Sequence, residues 1–286
     1  MNKNFTSAPV FVIGAERSGT TMLRLMLSSS KELCIPPESI FLTELYSKYR
    51  QGLDSIEQIP EFISNLYSIF FFDQWHLDPN LIHHRFLELE SLSYQNMMEC
   101  IYRTYLIVNE PDSIQWGDKN PIHTLRTNII LDLFPNARFI HIVRDGRDAV
   151  LSQRETNWGK TRSIEKATQL WVRYVTAGNL LANQRPEQCI QIKYEQLVST
   201  PVEALKYICN FLDITYSENM LEFHLRNRRE NLVPIEQQDY HKLTLESIDT
   251  SRVERWRDKL DIEEISSIEL IAGEALERNS YKLETI

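Results

Sequence analysis

Apolar positions along the chain follow two rhythms. The runs Val10 to Ile13, Arg138 to Val143 and Cys189 to Tyr194 are apolar at every residue or every second one, and each leads into a turn or helix signal. Their length and β-branched content predict buried strands, and Gln115-Trp116 marks a weaker fourth. Between them, apolar residues recur every three to four positions over Thr20 to Ser30, Ile56 to Phe72, Leu92 to Val108, His123 to Phe134, Ile164 to Ala182, Val202 to Leu212 and Ile262 to Leu276, which predicts helices. In the longest of these, Leu170, Trp171, Tyr174, Val175 and Leu181 share one face.

Strands that alternate with helices imply right-handed crossovers and a mainly parallel central sheet flanked by helices, a three-layer α/β fold. Ligands of such folds bind outside the carboxyl ends of the strands. No repeat, low-complexity tract or linker divides the 286 residues, and 42% apolar content suffices for one domain, so residues 1–286 are expected to form a single unit. The interval from about 45 to 115 has helical rhythm and few strand signals, and is expected to be a helical insertion beside the acceptor site.

Charge narrows the classes of partner. A net charge of −9 disfavours broad attraction to nucleic acid or an anionic membrane, so any anion must be gripped locally. Arg17, Arg144, Arg147 and the cluster Arg252, Arg255, Arg257 are the candidates. There is no apolar run of transmembrane length and no basic segment leading into one, from which a cytoplasmic protein without a transmembrane segment is expected. Cys34, Cys100, Cys189 and Cys209 lie far apart with no C-x-x-C pair, which predicts reduced thiols rather than a zinc knuckle or a disulfide framework. His83-His84 has no partner at ligand spacing, and no metal is expected.

The segment Gly14-Ala15-Glu16-Arg17-Ser18-Gly19-Thr20-Thr21 follows a strand and opens a helix. In that setting successive backbone N–H groups and the helix N-terminus cradle an anion. Its glycine spacing is that of a P-loop, but Thr20 stands where the phosphate-binding lysine would be. Arg17 supplies the charge instead, and its planar fork suits a tetrahedral oxyanion. The loop alone indicates phosphate recognition and serves a kinase as well as any other phosphate enzyme.

Residues Arg17 to Thr21, together with Phe134-Pro135-Asn136-Ala137-Arg138-Phe139-Ile140-His141-Ile142-Val143-Arg144-Asp145-Gly146-Arg147, resemble the two motifs with which the sulfotransferase family binds 3′-phosphoadenosine 5′-phosphosulfate (PAPS). Tyr194 to Val198 with Pro201 is similar to a third family segment, and Arg252 to Leu260 to a fourth. The likeness is greatest to the branch with tyrosylprotein sulfotransferases and related bacterial enzymes. It implies a P-loop-type fold in which Arg17, Ser18, Gly19, Thr20 and Thr21 hold the 5′-phosphosulfate. It also implies that Arg144 and Ser152 hold the 3′-phosphate, and that Tyr194 and Arg255 contact the donor. The spacing of the branch's catalytic glutamate from the loop arginine lands on Glu38, and Asp118-Lys119-Asn120-Pro121 places its catalytic lysine at Lys119. Two positions depart from the branch: a further donor arginine falls near Thr156, with Arg154 only close by, and a paired glutamate is Pro37-Glu38 here.

The resemblance implies an enzyme that transfers a sulfuryl group from PAPS to a hydroxyl or amine, with Glu38 as base and Lys119 as electrophile and no metal required. Small-molecule, glycan, lipid and peptide acceptors all remain open. The alternatives are an atypical P-loop kinase, in which Asp145 would bind magnesium, and an inactive nucleotide-binding module. His141 alternates with Ile140 and Ile142 and reads as a core or sheet-face histidine, and His123 is a less favoured base. Trp171, Trp256 and Phe70-Phe71-Phe72 read as core, although the last run is also suited to lining an apolar acceptor pocket.

Overall fold

The computed structural model describes residues 8–234 and 241–285. Five strands, β1 (Val10–Gly14), β2 (Leu33–Cys34), β3 (Gln115–Lys119), β4 (Arg138–Val143) and β5 (Cys189–Lys193), form one sheet in the order β2-β3-β1-β4-β5. Every neighbouring pair is parallel; Val12 of β1 lies opposite Lys119 of β3 on one side and Ile140 of β4 on the other. The central strands are apolar almost throughout because helices cover both faces. Period-two alternation sends Phe11, Ile13 and Phe139 into one core and Val10, Val12, Ile140 and Ile142 into the other.

Helix boundaries follow local chemistry. Ser163 accepts from the Lys166 N–H to start the long helix Ile164–Gln184, whose buried face carries Trp171, Tyr174, Val175, Gly178 and Leu181. Asp261 and Glu264 form a reciprocal capping box at the head of Ile262–Arg278. Asp145 accepts from the Arg147 N–H at the start of Gly146–Arg154, a helix that periodicity misses because it has no apolar stripe at its head.

Several expected elements are shorter or broken. The Ile56 to Phe72 pattern resolves into a 3-10 turn, Ile56–Gln58, and a helix, Ile59–Tyr67; Pro60 suits a first helical turn, and Phe71 takes a left-handed backbone at φ 66° that no helix continues through. His123 to Phe134 is a 3-10 turn, Pro121–Leu125, followed by a helix, Thr127–Leu133, with Arg126 at φ −128° between them. Strand β2 was not expected, since two residues carry no measurable period. Between β2 and β3 the chain is helical and turn-like without a strand, and its aromatic residues Phe41, Phe62, Phe72, Trp75 and Tyr102 pack into the core beneath Phe11 and Trp116.

Candidate active site

Each of the five strands delivers a residue or loop from its carboxyl end to one region. β1 runs into the loop Gly14 to Gly19, β3 ends at Lys119, β4 is followed by Arg144, β5 by Tyr194, and β2 leads to Glu38. The chain reaches β2 and β3 on one side of β1 and β4 and β5 on the other, so β1 sits at the point where strand order reverses, where open α/β sheets form their ligand crevice.

The loop turns through two left-handed residues, Arg17 at φ 66° and Gly19 at φ 93°. A Cβ on Gly19 would come within 2.6 Å of the Tyr194 ring, so glycine is required by both backbone and packing. Gly19 begins the helix Thr20–Ser28 with no side chain capping its first N–H groups, which leaves that end open to an anion. Ser18 is buried and its Oγ has no hydrogen-bond partner among the described residues, an orphaned polar atom in the middle of the loop. Arg17 Nε donates to Ser152 Oγ at 3.2 Å, linking the loop to the helix after β4.

Arg144 is a bracket for the same region. It donates to the carbonyls of Arg17 at 3.0 Å and Arg252 at 2.6 Å, stands 4.5 Å from the centre of the Tyr194 ring, and keeps a buried Nε without a hydrogen-bond partner. Its neighbour Asp145 is fully engaged by Arg147, which donates from Nε at 3.0 Å and from a terminal nitrogen at 2.7 Å. Arg147 also binds Glu269 at 2.6 Å and stacks 3.8 Å from the Trp256 ring. That arginine is therefore a buried structural hub, and the Asp145 carboxylate proposed for a kinase's magnesium is engaged on both oxygens by Arg147.

On the other side of the loop, Lys119 Nζ donates to Glu38 Oε2 in an ion pair and to Thr21 Oγ1 at 3.2 Å. The Lys119 side chain is 2% exposed and that of Glu38 25%, so the base candidate reaches solvent while the ammonium does not. Burial lowers the Lys119 pKa, and the Glu38 carboxylate opposes that shift. Alternation along β3 turns Asp118 away from Lys119, into a bonded group in which Tyr102 donates to Asp118 Oδ2 and His123 Nε2 lies 3.0 Å from it. His123 is thus a buried partner of Asp118, and His141 is buried within β4; neither lines a cavity with Glu38 and Lys119.

Two cavities meet over the loop. One, of about 300 Å³, is lined by Arg17, Gly19, Thr20, Thr21, Arg144, Ser152, Tyr194 and Arg252, with Glu155, Thr156 and Leu243. The other, of about 290 Å³, is lined by Glu38, Lys119, Thr20, Thr21 and Arg17, with Phe71, Pro121, Ile122, Trp158 and Tyr174. Arg17, Thr20, Thr21 and His241 belong to both.

The expected site residues Arg17, Gly19, Thr20, Thr21, Arg144, Ser152, Tyr194, Glu38 and Lys119 all line this pair of cavities, with Ser18 buried within the loop. Arg255 lines neither cavity: its guanidinium pairs with Glu155 of the cavity wall, and Arg252, which is on that wall, lies 3.6 Å from the same carboxylate. The turn 252–255 is tied to the helix after β4, where Asp148 accepts from the N–H groups of Glu254 and Trp256. Arg154 lines neither cavity and is paired with Glu264 at 2.6 Å, whereas Thr156 lines the first cavity itself. Sequence reasoning missed His241 and Trp158, which lie in segments without motif or period.

The profile of the sulfotransferase family matches residues 9–218. A protein-tyrosine sulfotransferase of Drosophila melanogaster is 25% identical over 235 residues, 79% of this chain and 42% of the relative. An omega-hydroxy-beta-dihydromenaquinone-9 sulfotransferase of Mycobacterium bovis is 27% identical over 172 residues, 48% of this chain and 42% of the relative. The matches thus span less than half of each relative's own length. Among solved structures, the sulfotransferase domain from the curacin biosynthetic pathway is similar in fold, with a TM-score of 0.64 at 22% identity over 98% of this chain and 100% of that one.

Proposed function

The chain belongs to the sulfotransferase family, and from that premise we propose that it transfers a sulfuryl group from PAPS to an acceptor hydroxyl, releasing 3′-phosphoadenosine 5′-phosphate. The observation that carries the reading is the junction of the two cavities: phosphate-binding groups line one, the Glu38–Lys119 pair lines the other, and Arg17, Thr20 and Thr21 belong to both.

The residues present suit the donor. The open helix end after Gly19, the unpartnered Ser18 Oγ and the Arg17 fork fit the 5′-phosphosulfate. Arg144, Ser152 and Arg252 fit the 3′-phosphate. In PAPS the transferable group is an SO₃ unit joined through a bridging oxygen.

Glu38, within reach of solvent, accepts the acceptor's hydroxyl proton as the new O–S bond forms. Lys119 stands behind it as a compact buried cation, and meets the negative charge that grows on the bridging oxygen as the old S–O bond breaks. In the resting site these two groups hold each other, so the pair parts when acceptor and donor enter. Thr21, bonded to Lys119, keeps the ammonium beside the loop during that exchange. A kinase reading is less well supported, because Thr20 replaces the P-loop lysine and Arg147 occupies Asp145. A cytoplasmic setting is part of the proposal, and the four buried free thiols suit a reducing compartment.

The test is nucleotide discrimination. 3′-Phosphoadenosine 5′-phosphate is expected to raise the melting temperature well above the shift given by ADP, with Ser152→Ala and Arg144→Ala each narrowing the gap. Equal shifts from the two nucleotides overturn the reading.

A further inference from the structure

The helix after the loop, Thr20–Ser28, buries Leu23, Leu25, Met26 and Leu27, and among them its one charged residue, Arg24, which is 4% exposed. Arg24 follows Thr20 by four positions and Thr21 by three, so it shares the helix face from which Thr21 Oγ1 meets Lys119. A buried guanidinium is costly unless its donors and its charge are both answered. Its terminal nitrogens donate to two carbonyls, that of Pro36 at 2.9 Å and that of Leu232 at 2.5 Å, and its buried Nε has no hydrogen-bond partner among the described residues.

Both carbonyls belong to segments that build the site. Pro36 lies two residues before Glu38. Leu232 precedes Val233, whose N–H donates to Asn227 Oδ1 at 3.0 Å; Asn227 Nδ2 in turn donates to the carbonyl and the hydroxyl of Thr244, both at 3.1 Å, on the wall of the donor cavity. One side chain therefore joins the loop helix, the base segment and the donor wall.

The charge is answered by the base itself. Burial pushes the Cys34 thiol and the Tyr105 hydroxyl up, so both stay neutral beside Arg24. Glu110 is held by Arg226, which also binds Glu230 at 2.7 Å. Burial lowers the Arg24 pKa, although a guanidinium remains charged, and Glu38 is the carboxylate that opposes the shift. Two buried cations thus share Glu38, Lys119 by direct contact and Arg24 through its field.

We propose that Arg24 is a positioning residue for sulfuryl transfer: its guanidinium registers the Glu38 segment against the donor loop, and its charge gives Glu38 a second cation when Lys119 turns to the bridging oxygen. The inference rests on the sulfuryl-transfer reading and deepens it. The same charge acts on Lys119, whose pKa is lowered first by burial and further by Arg24, against the opposing Glu38 and Asp118. His241, which shares the cavity with Lys119, is kept neutral by burial and by the charges of Lys119, Arg17 and Arg24.

Two measurements on the full chain test this without an identified acceptor. With lysine side chains labelled with nitrogen-15, the Nζ resonance of Lys119, assigned by its loss in Lys119→Gln, is titrated with pH. Its midpoint should move to higher pH in Arg24→Met and stay at the parent value in Arg24→Lys, which keeps the charge. Arg24→Gln, which keeps hydrogen-bond donors without the charge, takes the place of Arg24→Met if that variant does not fold. The second measurement is single-turnover breakdown of PAPS with the enzyme in excess and water as acceptor. Water attacks the sulfur, its proton passes to Glu38, and 3′-phosphoadenosine 5′-phosphate and sulfate are released. Arg24→Lys cannot span both carbonyls and should slow this step about tenfold, and Arg24→Met about a hundredfold, as for a misplaced reacting group, with the melting shift given by 3′-phosphoadenosine 5′-phosphate retained. An unmoved Lys119 midpoint in the uncharged variants, an equal move in Arg24→Lys, or loss of the nucleotide shift in the variants alone overturns the inference and leaves the donor reading intact. Unchanged turnover in every variant does the same, and if the parent binds the nucleotide but does not break PAPS down, the titration decides by itself. Absence of the nucleotide's melting shift in the parent overturns the donor reading instead.

Discussion

Lys119 carries two opposed demands: burial among the strand ends disfavours its charge, and the Glu38 carboxylate offsets part of that cost, leaving the pKa below its ordinary value. Removing the ammonium should therefore leave the nucleotide bound while stopping chemistry. Lys119→Ala is expected to lower the single-turnover rate by about 10²–10³-fold, the usual cost of losing one charge-stabilising donor, with the nucleotide's melting shift retained. Two further buried groups set an acid-side signature. Burial lowers the His141 pKa from 6.5 to about 4, so the stability contributed by its neutral ring is complete above about pH 6.5 and is lost as pH falls toward 4. Burial raises the Asp148 pKa from 3.8 to about 6, so its contribution has the reverse sign: stability is highest when it is protonated and falls as pH rises from about 4 to 6. Each amounts to up to about 3 kcal/mol across its window, and in the parent the two slopes oppose each other. Urea midpoints recorded from pH 4 to 6.5 should fall more steeply with rising pH in His141→Gln than in the parent, and rise more steeply with pH in Asp148→Asn. At this scale Glu38, Lys119 and the loop, singled out in the sequence, line one pair of cavities, and of the arginines 252 and 255 it is Arg252 that is on the wall, a distinction no local pattern carries.

Among the elements, the helix Ile164–Gln184 shows how packing overrides propensity. Gly178 lies in its interior, where alanine would ordinarily stabilise, but a Cβ there would sit 2.3 Å from the His141 ring. Gly178→Ala is expected to cost about 1–3 kcal/mol in the parent and to become neutral or stabilising in a His141→Ala background, a reversal that a double-mutant cycle by chemical denaturation measures directly. The insertion before β3 also supports the site: Trp75 Nε1 donates to the Pro37 carbonyl at 3.0 Å, next to Glu38, so this helical segment braces the base as well as walling the acceptor side. Trp75→Phe should keep the core ring, remove that brace and reduce kcat more than it raises KM. Three strands were legible because both their faces are buried and their apolar runs are continuous. Strand β2 was not, because two residues have no period, and the broken helix around Phe71 was not, because a left-handed residue there carries no local signal such as glycine or asparagine.

For the molecule as a whole, a nucleotide held at the ends of β1, β4 and β5 should stabilise all five strands together, because they form one continuous sheet. At a nucleotide concentration about a hundred times its Kd, the unfolding free energy should rise by about 2.7 kcal/mol, and far-ultraviolet circular dichroism and tryptophan fluorescence should report the same shift. Separate shifts for the two probes would show that the sheet does not unfold as one cooperative unit. The sequence by itself determined the parallel α/β architecture, the anion loop after β1 and the candidate residues at the strand ends, because these depend on local periodicity and on short motifs. The strand order β2-β3-β1-β4-β5 was decided only in three dimensions. That order brings Glu38 onto Lys119, seats Arg144 against Tyr194 and closes Phe71 and Trp158 over one cavity. Such contacts join residues far apart along the chain, and their geometry comes from how the layers pack, which no local pattern of apolar and polar positions encodes.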